Sequence, residues 1–288
     1  MRPVKAAEGA LGLCETGSVN TERLLPLHQL PPGALRRLRG VLTDIDDTLT
    51  CEGQIEPVAL RALQQMAAAS LPVIAITGRP AGWSEPFALA WPVAAIVAEN
   101  GSVLLQRRHD GLRRDFTQDE ATRVANWQRL RQCAAAVQAA LPHARLARDS
   151  AGRLTDIAVD HSEFAQLGSE DIAAVLELMH SHGLRASVSS IHINGWIGAH
   201  DKWSGARWAV EHALGLPFEP DEWLYVGDST NDQLMFEQLP LSVGVANISR
   251  FLPQLQVLPA YVTPSERGQG FAELVQRVLE ARQASRAT

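Results

Sequence analysis

Uninterrupted apolar runs alternate with helically spaced segments along most of the chain. The runs "GVLTDI" (40–45), "LPVIAITG" (71–78) and "VAAIVAENG" (93–101) predict buried strands. Such strands keep no polar face, so both sides of their sheet must be covered. Between them, "PVALRALQQMAAAS" and "GWSEPFALAW" have helical spacing, and Pro57 suits the first turn of its helix. This alternation predicts the α/β class, with a parallel sheet between helical layers.

The rhythm breaks between about Arg113 and Gly195. "TQDEATRVANWQRLRQCAAAVQAAL" predicts a long helix, with Thr117 and Glu120 forming a capping box at its start. "GSEDIAAVLELMHSHG" predicts another, with Ser169 as N-cap and Gly183 as its stop. "RLTDIAVD", "RASVSS" and "IHINGWIG" alternate like half-buried strands. Alternation directs Ile157, Val159, Ile191, Ile193 and Ile197 toward these helices. It directs His192, Asn194, Trp196 and Asp156 to the other face, and leaves Asp160 at a strand end to meet water. These signals predict an inserted α+β domain. The parallel pattern then resumes with helix "KWSGARWAVEHALG", strand "EWLYVGD", helix "TNDQLMFEQL", strand "LSVGVA", a short "AYVT" and helix "GFAELVQRVLEAR". The predicted division is 1–39 as a loose arm punctuated by Pro31-Pro32, 40–112 as core, 113–196 as insert, and 197–288 as the rest of the core.

Composition narrows the function classes. The 288 residues are 46% hydrophobic and 20% charged, which is ordinary for a globular protein. A net charge of −6 disfavours a long nucleic-acid groove or a polybasic membrane surface. No apolar run reaches the length of a membrane span. The basic N-terminus is interrupted by Glu8 before any apolar segment, so it does not read as a signal peptide. Cys14, Cys51 and Cys133 form no CxxC pair and read as reduced thiols, which places the chain in the cytoplasm.

The candidate chemistry lies where strands end. Asp44, Asp46 and Asp47 crowd three like charges behind the first strand, and a cation is their natural compensation. Thr77, Gly78 and Arg79 follow the second strand. Lys202 opens a helix, and Asp228, Asn231 and Asp232 follow "EWLYVG". In parallel sheets ligands gather at the carboxyl ends of strands, so these clusters can converge. Hard oxygen ligands with a lysine beside them suit Mg²⁺ and a phosphate. Asp47 and Asn231 fit a turn as readily as a site. Arg79 reads as an ion-pair residue near the site rather than a substrate contact.

These residues resemble the haloacid dehalogenase superfamily of phosphohydrolases. The DxDxT signature is Asp44-Ile45-Asp46-Asp47-Thr48, followed in order by Thr77, Lys202, and Asp228 with Asp232. Many relatives carry glycine where this chain has Asp47. The insertion between the second and third motifs resembles the cap of subfamily IIB. "VAENGSVL", with Asn100, resembles the loop that precedes that cap in sugar-phosphate phosphatases. The resemblance implies a Rossmann-like core with an α+β cap and a Mg²⁺-dependent phosphatase acting on a sugar phosphate. Asp44 would be the nucleophile and Asp46 the general acid and base. Thr77, Gly78 and Lys202 would bind phosphate. Asp44, the Asp46 carbonyl and Asp228 would hold Mg²⁺, with Asp232 orienting Lys202 or a metal-bound water. Asn100, His192, Asn194 and Trp196 are candidates for the sugar. The alternatives are a phosphomannomutase-type phosphomutase, whose second anion site could use only Arg153 and Arg185, and a non-catalytic sugar-phosphate-binding protein. A small phosphorylated molecule is the expected partner, with neither nucleic acid nor membrane.

Overall fold

A computed structural model describes residues 24–284. The chain runs through β1 (Leu25–Pro26), α1 (Pro32–Arg37), β2 (Gly40–Thr43), the small hairpin β3 (Thr50–Cys51) and β4 (Gln54–Ile55), and α2 (Pro57–Ala68). Then come β5 (Val73–Ile76), α3 (Ala81–Ala90), β6 (Ala95–Ala98), β7 (Val103–Arg108) and β8 (Gly111–Phe116). The insert follows as α4 (Glu120–Ala140), β9 (Asp156–Asp160), α5 (Ser169–Ser181), β10 (Arg185–Val188) and β11 (His192–Trp196). The chain closes with α6 (Lys202–Leu214), β12 (Trp223–Gly227), α7 (Gln233–Gln238), β13 (Ser242–Gly244), β14 (Tyr261–Val262) and α8 (Arg267–Ala284).

Among the described residues, nine strands form one sheet in the order β1-β14-β13-β12-β2-β5-β6-β7-β8. It is parallel from β1 to β6, and β7 and β8 extend it as an antiparallel edge. Residues on its central strands are buried throughout, as strands covered on both faces must be. One face packs on α2, α3 and α8 through Leu63, Met66, Ala88, Phe271 and Leu274. The other packs on α6 and α7 through Ala206, Val210, Met235 and Phe236.

The segment expected to be a loose arm is, from Leu24 onward, part of this core. Leu25 and Pro26 pair with Tyr261 and Val262, and Leu27, Leu30, Leu35 and Leu38 are buried. Prolines and basic residues suggested an exposed linker, but the spaced leucines bury enough apolar surface to dock it. The basic N-terminus and Cys14 lie outside the described residues.

The division expected at residue 113 falls inside β8, whose register with β7 runs from Gly111–Arg108 to Phe116–Val103. The chain leaves the large sheet after Phe116. Helix α4 begins at Glu120 with Asp119, not Thr117, as its N-cap, because the Asp119 carboxylate accepts from the Thr122 N–H. Gly168 rather than Ser169 is the N-cap of α5. In the insert's sheet, β10-β11-β9, Ile157, Val159 and Ile193 pack on α4 and α5 with Leu130, Val137, Val175 and Met179. Among the described residues, no helix is long and apolar enough to cross a membrane.

Candidate active site

The strand order explains why distant motifs meet. β2 lies between β12 and β5, so Asp44, Asp228 and Thr77 leave the carboxyl ends of three adjacent strands. Lys202 arrives from α6, whose N-terminus is fixed by an Asp201–Ser204 capping box. Helix α6 sits close to the loop after β6: a Cβ on Gly101 would clash with the Asp201 carbonyl, and one on Gly205 would crowd the Gly101 backbone. Glycine at both positions permits this approach and so sets the depth to which Lys202 reaches.

Lys202 Nζ donates to Asp44 Oδ1 and to Asp232 Oδ1, each at 2.6 Å, and all three side chains are buried. Asp232 is saturated with donors. Its Oδ1 also accepts from the Tyr225 hydroxyl, and its Oδ2 accepts from the Asp228 and Ser229 N–H groups at 2.9 and 3.1 Å. Burial lifts the Asp44 carboxyl above its ordinary range. Lys202 opposes that shift, while the charges of Asp232 and Asp46 add to it. Asp228 is also raised, by burial first and then by Asp232, Asp44 and Asp47. The Lys202 ammonium is held charged by Asp232 and Asp44 against the cost of burial.

This carboxylate group fits a divalent cation. Oxygens of Asp44, Asp228 and Asp232 lie within 4.8 Å of one another. Among the described residues, Asp228 Oδ1 is buried without a hydrogen-bond partner, and its Oδ2 accepts only from Asn247 at 3.3 Å. An unpaired buried carboxylate oxygen is costly, and hard oxygen donors suit Mg²⁺. Asp44 and Asp228 have coordination capacity to offer; Asp232, with both oxygens committed, does not.

Asp46 faces the second motif. Its Oδ1 accepts from Arg79 Nε at 2.9 Å and its Oδ2 from the Thr77 hydroxyl at 3.4 Å. The rest of the Arg79 guanidinium reaches the insert, donating to Asp149 at 3.2 Å and Glu163 at 2.7 Å. Arg79 is therefore an ion-pair residue on a larger scale than its neighbours in sequence indicate. A Cβ on Gly78 would come within 2.9 Å of Asn194 Nδ2 and 3.2 Å of Asn100 Oδ1, so the insert meets this loop at a bare backbone. Asp47 has φ +54°, a conformation open to glycine, and its carboxylate accepts from Arg267 Nε at 2.9 Å.

The insert's sheet turns its polar face to these loops. His192 and Asn194 border a small void with Asp44, Asp46, Gly78 and Asn231. Asn194 Oδ1 is buried without a partner among the described residues, while His192 Nε2 bonds Glu163 at 2.9 Å. Trp196 does not reach that void. It donates to the His200 carbonyl and lines a separate hollow with Asn100, Lys202 and Asn231. Asn100 donates to Asp156, which Arg153 also pairs at 2.8 Å. Burial pushes Asp156 up to about 8 despite Arg153. Two expectations are corrected. Ile191 precedes β11 and lines the site rather than the helices. Asp160 is buried, accepting the Glu163 and Phe164 N–H groups instead of meeting water.

Beside the void lies a cavity of about 580 Å³. Asp46, Asp228 and Arg79 floor it. Glu52 and Gly53 of the β3–β4 turn, Phe164 and Ile191 of the insert, and Arg250, Phe251 and Arg267 of the core wall it. Glu163, Tyr225, Asn247, Arg250 and Arg267 were missed by sequence reasoning. Only Tyr225 carried a signal, a hydroxyl in an otherwise apolar strand three residues before Asp228.

A family model described as haloacid dehalogenase-like hydrolase matches residues 41–144. A phosphoglycolate phosphatase of Methanosarcina mazei is 26% identical over 246 residues, covering 83% of this chain and 96% of that protein. A crystal structure from Thermoplasma acidophilum aligns with TM-score 0.64 at 19% identity, over 84% of this chain and 98% of that one. Sucrose-phosphatase from Synechocystis, solved with sucrose and phosphate, aligns with TM-score 0.60 at 17% identity, over 84% and 98% of the two chains. The family match starts at the strand that delivers Asp44, and the shared fold spans both core segments and the insert; over residues 41–144 the chain is similar to the haloacid dehalogenase-like hydrolases.

Proposed function

We propose that this protein is a Mg²⁺-dependent phosphatase that hydrolyses a small phosphorylated metabolite, with a sugar phosphate as the favoured class. The observation that carries the reading is the Asp44 carboxylate, gripped by Lys202 on one side with Asp46 two residues away and an unpaired Asp228 oxygen beside it. A binding protein would gain nothing from burying a nucleophile and a proton donor in that relation.

Asp44 attacks phosphorus, forming a carboxylate–phosphorus bond as the bond to the leaving alkoxide breaks. Asp46 gives its proton to that alkoxide, then takes one from the water that attacks the aspartyl-phosphate and frees Asp44. Lys202 offsets the charge of the phosphate oxygens, and Thr77 with the Gly78 N–H fixes their orientation. Asp44, the Asp46 carbonyl and Asp228 would hold Mg²⁺, which when bound supplies charge that lowers the repulsion between carboxylate and phosphate. Asp232 keeps Lys202 aligned, and Asn231 supports the same loop.

The insert acts as a cap, and Asn194 with its unpaired Oδ1 is the cap residue best suited to a substrate hydroxyl. His192 positions Glu163. A cavity of about 580 Å³ with carboxylates, guanidiniums and two phenyl rings suits a polyhydroxylated ring better than a two-carbon acid. Phosphoglycolate is the second reading, favoured by the 26% identical relative and by Arg250 and Arg267, which could take a carboxylate. Hydrolysis is favoured over mutase chemistry because Arg153 is committed to Asp156, Asp149 and the Gly78 carbonyl, and Arg185 to the Ala199 and His200 carbonyls. A phosphate-release assay over sugar phosphates and phosphoglycolate, with and without Mg²⁺, tests the reading. Release from no substrate overturns it.

A further inference from the structure

Resting on the phosphatase reading, we propose that Arg79 is a charge latch between core and insert, opened when the substrate's phosphate replaces the carboxylates of Asp149 and Glu163. The premise is spatial. The void bounded by Asp44, Asp46 and Gly78 measures about 10 Å³. A single water requires roughly 10–15 Å³, so a phosphoryl group with its three or four oxygens does not fit. The adjoining cavity of about 580 Å³ is ample, yet Asp46, Arg79, Ser190 and Ile191 border both spaces, and Arg79 with Ser190 and Ile191 closes the insert side of the partition between them. A phosphate in the large cavity thus stands against Arg79 before it can reach Asp44.

The latch has a fixed side and a releasable side. On the core, Nε is bonded to Asp46 and the guanidinium lies 4.8 Å from the centre of the Trp83 ring, on the helix that follows the second motif. On the insert, Nη1 and Nη2 are held by Asp149 and Glu163, whose side chains remain 12% and 18% exposed while Arg79 is 4% exposed. Stripping a buried guanidinium of its anions is costly, so thermal opening alone is disfavoured. A phosphate dianion offers the same two donors a charged, bidentate acceptor and can exchange for the carboxylates with little net loss. Glu163 keeps a partner on release, because His192 Nε2 lies 2.9 Å from its other oxygen. A neutral ligand has no such exchange available, so the partition yields to phosphorylated compounds and not to the free sugar.

The test compares wild type with Glu163→Gln and Asp149→Asn. Backbone hydrogen exchange at Ser189–Ile191, measured without ligand, should speed up about tenfold in each variant, the change expected for loss of part of a buried ion pair. Stopped-flow tryptophan fluorescence, with a Trp83→Phe control to assign the signal, should show inorganic phosphate with Mg²⁺ associating about tenfold faster in each variant. Exchange and association rates equal to wild type in both variants would overturn the latch. The two readings fail separately. A wild type that releases no phosphate from any substrate removes the phosphatase reading, whereas a working phosphatase with unchanged exchange removes only the latch.

Discussion

Lys202 Nζ and Asp44 Oδ1 meet at 2.6 Å although 158 positions and the whole insert separate them in the chain. The contact joins the proposed nucleophile to the ammonium that also satisfies Asp232. Replacing Lys202 with Met should lower phosphate release on the order of 10²–10³-fold, the usual loss when a preorganised charge partner is removed. The same variant should lose stability on the order of 3–5 kcal/mol, because two buried carboxylates are left without their cation. Urea unfolding alongside the activity assay checks both.

Metal dependence should appear in stability as well as activity. Asp228 is buried with its carboxyl raised well above the ordinary range, so its ionised form destabilises the metal-free protein. Asp228→Asn should therefore melt higher than wild type without metal, yet lose the rise in melting temperature that Mg²⁺ gives wild type. Half-maximal activity should need about tenfold more Mg²⁺ or higher. An unchanged response to Mg²⁺ in both assays would assign the carboxylate cluster another role.

Asp47 separates conformation from charge. Its φ of +54° favours glycine, while its bond to Arg267 favours a carboxylate. Asp47→Gly trades a partly exposed ion pair worth about 0–1 kcal/mol against backbone relief of similar size, and should leave the melting temperature nearly unchanged. Asp47→Ala loses the pair without the relief and should be less stable than the glycine variant by about 1 kcal/mol. Equal stabilities would show that the backbone at this position is not under strain.

The Glu163 pair sets a pH window. Burial alone would raise this carboxyl, but hydrogen bonds from His192 and Arg79 outweigh it and hold the group down at about 2, against 4.5 ordinarily. Between those values the unfolded chain binds more protons than the folded one, so stability rises with pH there. The advantage of wild type over Glu163→Gln should be complete above pH 4.5 and shrink as pH falls toward 2. Denaturant unfolding across that range would show the two curves converging; a constant gap would mean the pair is not carried by the Glu163 charge.

Local pattern carried the parallel strands and the four motifs, because each motif sits at a strand or helix end where periodicity stops. It failed where long-range packing decides. The leucines of residues 27–38 read as a linker because their partners on α8 and β14 lie more than 200 residues away. Arg79 showed one short-range role, but Asp149 and Glu163 are 70 and 84 positions distant. Ile191 obeyed alternation on paper, yet it lies one residue before the strand begins, where alternation no longer binds. Asp119 displaced Thr117 as helix cap because both are favoured N-cap residue types and only the backbone path chooses between them.

Phosphate release by Asp44→Asn, assayed with Mg²⁺ beside wild type on the best substrate of the panel, tests the central claim most directly. The amide keeps the shape of the side chain but is neither an anionic nucleophile nor a comparable ligand. The account predicts a folded protein with turnover reduced on the order of 10³-fold or more. Release at close to the wild-type rate would contradict it.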